Sequence, residues 1–192
     1  MNERTYRILT RVAIALTALF VLFSVYDCSF RERNPGDLPY LQGDNLFEDG
    51  AYDRALEKYQ KALTESADHI HALRGKARSL MQLGRLDEAL SSFDEAIARE
   101  PDFGASYANR AIAHDRMGHY DKALADYEKA LSLDPELAAG PHWMTRFLRL
   151  QSTKPPGIAD RAAYLRQELA KPPGQRLLRV PERDAEQRPF KQ

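Results

Sequence analysis

A 34-residue period constrains this chain more than any other feature of its sequence. Between Gly36 and Leu137 one pattern recurs three times, as Gly50-Ala-Tyr-Asp-Arg-Ala55-Leu, Gly84-Arg-Leu-Asp-Glu-Ala89-Leu and Gly118-His-Tyr-Asp-Lys-Ala123-Leu. An aromatic stands four residues after each of these alanines (Tyr59, Phe93, Tyr127), and a further alanine three residues beyond it (Ala62, Ala96, Ala130). Pro101 and Pro135 close two of the copies. A period of this length, with small and aromatic residues at helical offsets, predicts an all-α helix-turn-helix solenoid. Its three repeats cover 36–69, 70–103 and 104–137.

Each element of the pattern has a physical reason. The glycine ends the first helix of a pair, where the chain often needs a left-handed backbone. Asp53, Asp87 and Asp121 fall at the start of the second helix, where a carboxylate meets the positive end of the helix dipole. Small residues at the eighth position (Gly43, Ala77, Ala111) and the twentieth (Ala55, Ala89, Ala123) let helix backbones approach closely. The aromatic fills the space between neighbouring pairs, and proline starts the next loop.

These residues resemble the tetratricopeptide repeat family, over about half the chain. The resemblance implies that the first helix of each pair lines a concave groove. Carried over position by position, the groove would present Asp37, Tyr40, Leu41, Asp44, Phe47 and Glu48 from the first repeat, and His71, Arg74, Gly75, Arg78, Met81 and Gln82 from the second. The third would present Asn109, Ile112, Asp115 and Arg116, and the following helix Trp143, Arg146 and Leu150. Some members of the family hold a partner's C-terminal carboxylate with lysine, asparagine and arginine at comparable offsets. Here Asn109 fits and Arg74 stands for lysine, but Arg78 sits where asparagine is usual, and Ala139 and Trp143 replace the last basic residues. The expected ligand is therefore an acidic or extended peptide of a protein partner, held by Arg74, Arg78, Gln82, Asn109, Arg116 and Arg146. Arginine suits that task through bidentate carboxylate capture. The competing reading is that the arginines are solvated or pair with Asp44, Asp115 or Glu48, contributing little.

The formal net charge of zero conceals an uneven distribution. Residues 1–35 carry +2, residues 36–137 carry −8 and residues 138–192 carry +6. An acidic repeat body argues against nucleic acid, whose binders need a basic working face. The single cysteine, Cys28, cannot form an intrachain disulfide. His69 and His71 lack further residues at metal-ligand spacing, so no metal is expected. His114 occupies a position where the family packs a bulky residue. No phosphate loop or nucleophile motif is present, so neither catalysis, a cofactor nor a small-molecule substrate is expected.

Outside the repeats, residues 12–25 carry no charge and only Thr17 and Ser24 as polar side chains, and extended to residues 8–26, with Arg11 at the boundary, the segment nears the ~20 residues a membrane-spanning helix needs. Residues 1–27 are read as an uncleaved anchor, because Val25, Tyr26 and Asp27 make a poor cleavage site. Arg4, Arg7 and Arg11 precede the segment and Arg31 and Arg33 follow it, which places the repeats across the membrane from the cytoplasm. For a bacterial inner membrane that side is the periplasm. Residues 28–35 form a short linker.

Beyond the repeats, residues 138–171 are expected to form two capping helices, a degenerate fourth repeat. Trp143, Phe147 and Leu150 make a second apolar stripe. Ile158, Ala162, Leu165 and Leu169 align on one face between two Lys-Pro-Pro-Gly turns and could cover it. Left uncovered, the stripe would be a second partner surface. Residues 172–192 read as an extended basic tail in which Leu177, Leu178 and Val180 could dock onto the fold or a partner. The expected function is a membrane-anchored scaffold that binds a protein or peptide and supports assembly of a membrane complex. The alternatives are a structural subunit bound through the Trp143 stripe and the tail, and an accessory module for an envelope-biogenesis enzyme acting on peptidoglycan or lipopolysaccharide.

Overall fold

The computed structural model describes residues 2–30, 34–139, 157–179 and 189–190. It divides into two units, residues 1–34 and residues 35–192. The first unit is one helix, α1 (Glu3–Phe30). Its 22-residue span Thr5–Tyr26 is long and apolar enough to cross a membrane. Three hydroxyls within it are satisfied by the helix itself. Thr10, Thr17 and Ser24 each donate to the carbonyl one turn back, at 2.9, 2.9 and 2.8 Å. Hydroxyls bonded in this way need no water.

The second unit opens with three helical hairpins. They are α2 (Asp37–Glu48) with α3 (Tyr52–Glu65), α4 (Ile70–Gln82) with α5 (Leu86–Arg99), and α6 (Gly104–Arg116) with α7 (Tyr120–Leu133). A 3-10 turn (Pro135–Ala139) follows, and then α8 (Ile158–Leu169). With α1 these make eight α-helices and no strand among the described residues. The first helices of the pairs form one row, α2 touching α4 and α4 touching α6, while α8 packs on α7.

The same turn joins the two helices within each hairpin. Gly50, Gly84 and Gly118 adopt φ of 77°, 75° and 78°. The residue after each glycine donates back across the helix end: Ala51 to Leu46, Arg85 to Leu80 and His119 to His114, all at 2.9 Å. This is the Schellman arrangement, which satisfies carbonyls that the helix end leaves without partners. Asp53, Asp87 and Asp121 lie in the first turns of α3, α5 and α7, as the spacing predicts.

The aromatics at the period's twenty-fourth position are the pillars of the stack. Tyr59, Phe93 and Tyr127 are fully buried, as are the alanines flanking them. Around Tyr59 the tolerance vanishes. A β-carbon on Gly43 would stand 2.9 Å from its ring, and one on Gly75 only 2.3 Å. The two glycines, one on α2 and one on α4, therefore form the slot that the ring fills. Arg110 ties the next layer laterally, reaching Asp126 of α7 with two nitrogens at 2.7 Å and Asp94 of α5 at 2.6 Å.

The C-terminal cap departs from the period by one residue. Ile158, Ala162 and Leu165 lie 35 residues after Ala123, Tyr127 and Ala130 and are buried like them. The small-large-small order of the repeats has become large-small-large. Ala138 and Ala139, where a capping helix is expected to start, belong to the 3-10 turn, and residues 140–156, with Trp143, Arg146, Phe147 and Leu150, lie outside the described residues.

Replacing Gly75 by alanine should force Tyr59 from its slot at a cost of about 1–3 kcal/mol, the usual range for overpacking a core. Urea unfolding of the variant should show the loss. Trimming the ring in the double variant Gly75→Ala/Tyr59→Leu should give a smaller sum than the two single losses. Additive losses would mean that glycine and ring are not in contact.

Candidate functional site

The row α2, α4, α6 carries the residues assigned to the groove, and the structure places them in four polar knots. In the first, Asp44 of α2 accepts from Tyr59 at 2.7 Å, from Arg78 at 3.1 Å and from Tyr40 at 3.3 Å. Arg78 also lies over the Phe47 ring, 4.8 Å from its centroid. Burial, and then the bond to Asp44, raises the Tyr59 phenol well above its usual range, so it remains a donor at any ordinary pH.

In the second knot Arg74 of α4 is 1% exposed. Its guanidinium pairs with Glu100 and stacks 3.8 Å from the centroid of Phe103. Arg78 is similarly enclosed, at 2%. Both arginines are thus committed to carboxylates of neighbouring elements and serve to position α4 between α2 and the α5–α6 turn. Asp44 is one of the partners that sequence reasoning offered Arg78. Glu100, at the end of α5, was not among them.

The third knot joins the last hairpin to its cap. Asp115 of α6 accepts two bonds from Arg161 of α8, at 2.6 and 2.7 Å, and one from Tyr127 of α7 at 3.2 Å. Arg161 also donates to the carbonyl of Leu178 at 3.0 Å. A bidentate, buried carboxylate–guanidinium pair of this kind is a strong orienting contact. It lies 46 residues apart in sequence, which is why spacing alone did not reveal it.

The fourth knot centres on Asn109, 1% exposed on α6. Its side-chain amide donates to the Phe190 carbonyl at 3.2 Å, and its side-chain oxygen accepts the Phe190 amide at 2.7 Å. One asparagine thereby holds both polar groups of another residue's main chain, in a segment that belongs to no helix. The Phe190 ring packs, half-buried, against the main core cluster. Two turns along α6, Arg116 donates to the Met81 carbonyl at 3.1 Å, and its own carbonyl accepts from Arg179 at 3.4 Å. Gln82 ends α4, half-buried. Phe190 is the only aromatic in residues 172–192, and that was the one sequence signal that could have singled it out.

The tail begins its path on α8. The Leu177 amide donates to Glu168 at 2.8 Å and its carbonyl accepts from Tyr164, while Leu178 packs on the core. The Lys171 ammonium, and then the Leu177 amide, hold the Glu168 carboxyl below its usual range. Val180 lies outside the described residues. Among the histidines, His69 caps α4 by accepting from the Ala72 amide at 3.2 Å, and no group of three metal-ligating side chains occurs among the described residues. His114 packs half-buried on α6, and burial lowers its pKa from the ordinary 6.5.

Residues 46–114 match one model of the tetratricopeptide repeat and residues 105–137 match another. No curated protein matches the sequence. Among solved structures, the first such domain of Spaghetti (RPAP3), bound to the HSP90 peptide SRMEEVD, is 19% identical with a TM-score of 0.58, covering 73% of this chain and 97% of that one. YrrB, described as a repeat protein with an unusual peptide-binding site, is 27% identical at a TM-score of 0.51. TTC0263 from Thermus thermophilus is also 27% identical, at a TM-score of 0.50. This chain spans 54% and 59% of the lengths of the last two, which in each case cover 54% of it. Residues 46–137 thus carry tetratricopeptide repeats.

Two outcomes follow from these knots. Arg78→Glu would set a buried carboxylate against Asp44, and should cost roughly 3–5 kcal/mol, the range for breaking a buried pair. Its unfolding midpoint should fall accordingly, whereas an arginine whose only role was ligand capture would leave stability unchanged. Because the folded chain holds His114 with a lowered pKa, the unfolded state binds more protons as the pH falls below 6.5. That contribution is complete above 6.5 and is lost on acidification. Urea midpoints at pH 7 and pH 5 should therefore differ less for His114→Leu than for the unaltered chain, and an equal difference would reject the assignment.

Proposed function

We propose that this chain is a membrane-anchored scaffold whose α2–α4–α6 face binds an extended peptide segment of a protein partner, and so supports assembly of a membrane complex. The observation that supports the reading most directly is the reciprocal pair at Asn109. An asparagine buried on that face already holds the main chain of a non-helical segment through both of its polar groups. Main-chain capture of this kind gives affinity for an extended peptide without dictating its side chains. The repeats supply the scaffold, and YrrB, with its described peptide-binding site, offers a related precedent.

Within this reading the named residues divide their work. Asn109 grips the ligand main chain, and Arg116 and Gln82 border it. Arg74 and Arg78 act from beneath, holding α4 in register through Glu100 and Asp44. Arg146 would extend the basic side of the groove, and Trp143, Phe147 and Leu150 would form the second surface were the cap to leave them uncovered. Residues 138–171 complete the stack as a degenerate fourth repeat. The anchor is the apolar span Thr5–Tyr26, and the arginine excess before it directs the repeats across the membrane, into the periplasm of a bacterial inner membrane.

Photo-crosslinking tests the groove. With a photoreactive residue at Gln82, on the α4 end of the face, the full chain in its membrane should form an adduct with a discrete partner. The same probe at Glu57, exposed on α3, should not, and Asn109→Ala should abolish the Gln82 adduct while leaving the fold intact. Equal adducts from both positions would reject a groove site. An adduct formed only from Trp143 would favour the structural-subunit reading.

A further inference from the structure

We propose that the Asn109 site has a resident occupant, this chain's own C-terminal segment around Phe190, which an incoming partner of the same chemistry must displace. The inference rests on the peptide-groove reading and goes on to state what fills the groove and what a competitor must look like. Four observations converge on it. First, Phe190 is 81 residues from Asn109 in sequence, yet its amide and carbonyl are both bonded to that one side chain. Second, the Phe190 ring packs against the core cluster that includes Ala108 and Ile112 of α6. Third, the tail touches the same helix again two turns away, where Arg179 donates to the Arg116 carbonyl. Fourth, the segment leading there is fastened to the cap by Arg161, Tyr164 and Glu168, which all hold main-chain groups of residues 177–178.

The chemistry of the contact defines the competitor. Asn109 reads main chain only, so it accepts any non-helical segment that can present one amide and one carbonyl together. Selectivity falls to the ring, which brings an apolar body to the core edge. The arginines of α4 add little selection for an acidic sequence, since Asp44 and Glu100 already engage them. The tail itself is basic, so its seat matches the acidic repeat body. A partner that resembles it would carry an aromatic residue in a short basic or neutral segment.

The probe is a fluorescein-labelled synthetic peptide of residues 176–192, titrated by anisotropy into the detergent-solubilised full chain and into its Phe190→Ala variant. An occupied site lowers apparent affinity by the fraction of time it is free. The variant should therefore bind the peptide roughly 10-fold or more tightly than the unaltered chain, as expected for a site more than ~90% occupied. Adding Asn109→Ala to the variant should remove that gain, and a peptide with alanine in place of its phenylalanine should fail to compete. Helical unfolding curves for all three chains establish that each is folded. Equal affinity in the unaltered chain and Phe190→Ala would overturn the proposal, as would binding insensitive to Asn109→Ala. So would light scattering that shows dimers which Phe190→Ala dissolves, because the tail would then sit in a second copy. If Phe190→Ala still forms the partner adduct from Gln82 but does not take the peptide, self-occupancy fails while the groove reading survives.

Discussion

Everything in the repeat body depends on one steric constraint, that an aromatic ring on the second helix of a pair must lie between two first helices. Tyr59 shows its severity. The slot exists only because α2 and α4 present glycine at positions 43 and 75, and the ring that enters it is wholly excluded from water. With the ring seated, the spacing of α2 and α4 is fixed, and so is the position of every side chain in the row they form with α6. The polar knots follow from that spacing. Tyr59 brings its hydroxyl to Asp44, and Tyr127 brings its hydroxyl to Asp115 in the same manner two repeats later. In both cases the carboxylate then recruits an arginine from the next element along, Arg78 on α4 and Arg161 on α8.

These buried charges give the inner row a character that a helical wheel does not convey. Taking a guanidinium and a carboxylate from water together is at best weakly stabilising, because desolvation offsets their attraction. Their consequence is geometric: each pair forms only where its two elements bring the guanidinium and the carboxylate within reach. A stack joined by alanine contacts alone could slide by a turn, since small residues make similar contacts in neighbouring registers. The arginine–carboxylate pairs distinguish those registers.

This explains what the sequence disclosed and what it withheld. The hairpins, the left-handed glycines, the carboxylates in the first turns and the aromatic pillars were legible because each is local and recurs at a fixed period. That the residues assigned to the groove from the three repeats fall on α2, α4 and α6 was also legible. The environment of Arg74 and Arg78 was not, because whether an inward arginine meets solvent or a carboxylate depends on Glu100 and Asp44, which come from other elements. Arg161 occupies the position where the period would put a pillar, and the repeat pattern holds no cue that pairs it with Asp115. Phe190 was hidden most deeply: no periodicity extends to it, and its partner Asn109 matched a familiar pattern for an external peptide.

A ligand that is part of the same chain obeys different energetics from a free one. An external peptide must surrender translational and rotational freedom, several kcal/mol at the least, before any contact favours it. A tethered segment faces only loop closure, and short tethers give effective concentrations in the millimolar range. Two main-chain hydrogen bonds of about 0.5–1.5 kcal/mol each, with one half-buried ring, are enough to seat such a segment but too few to seat it irreversibly. The fastenings of residues 177–178 to α8 shorten the tether further and raise its effective concentration at Asn109. A partner confined to the same membrane would have a comparable advantage, since confinement also raises its local concentration. Under this account the exchange between tail and partner is decided by small differences in a few contacts, and the aromatic ring is the largest of them.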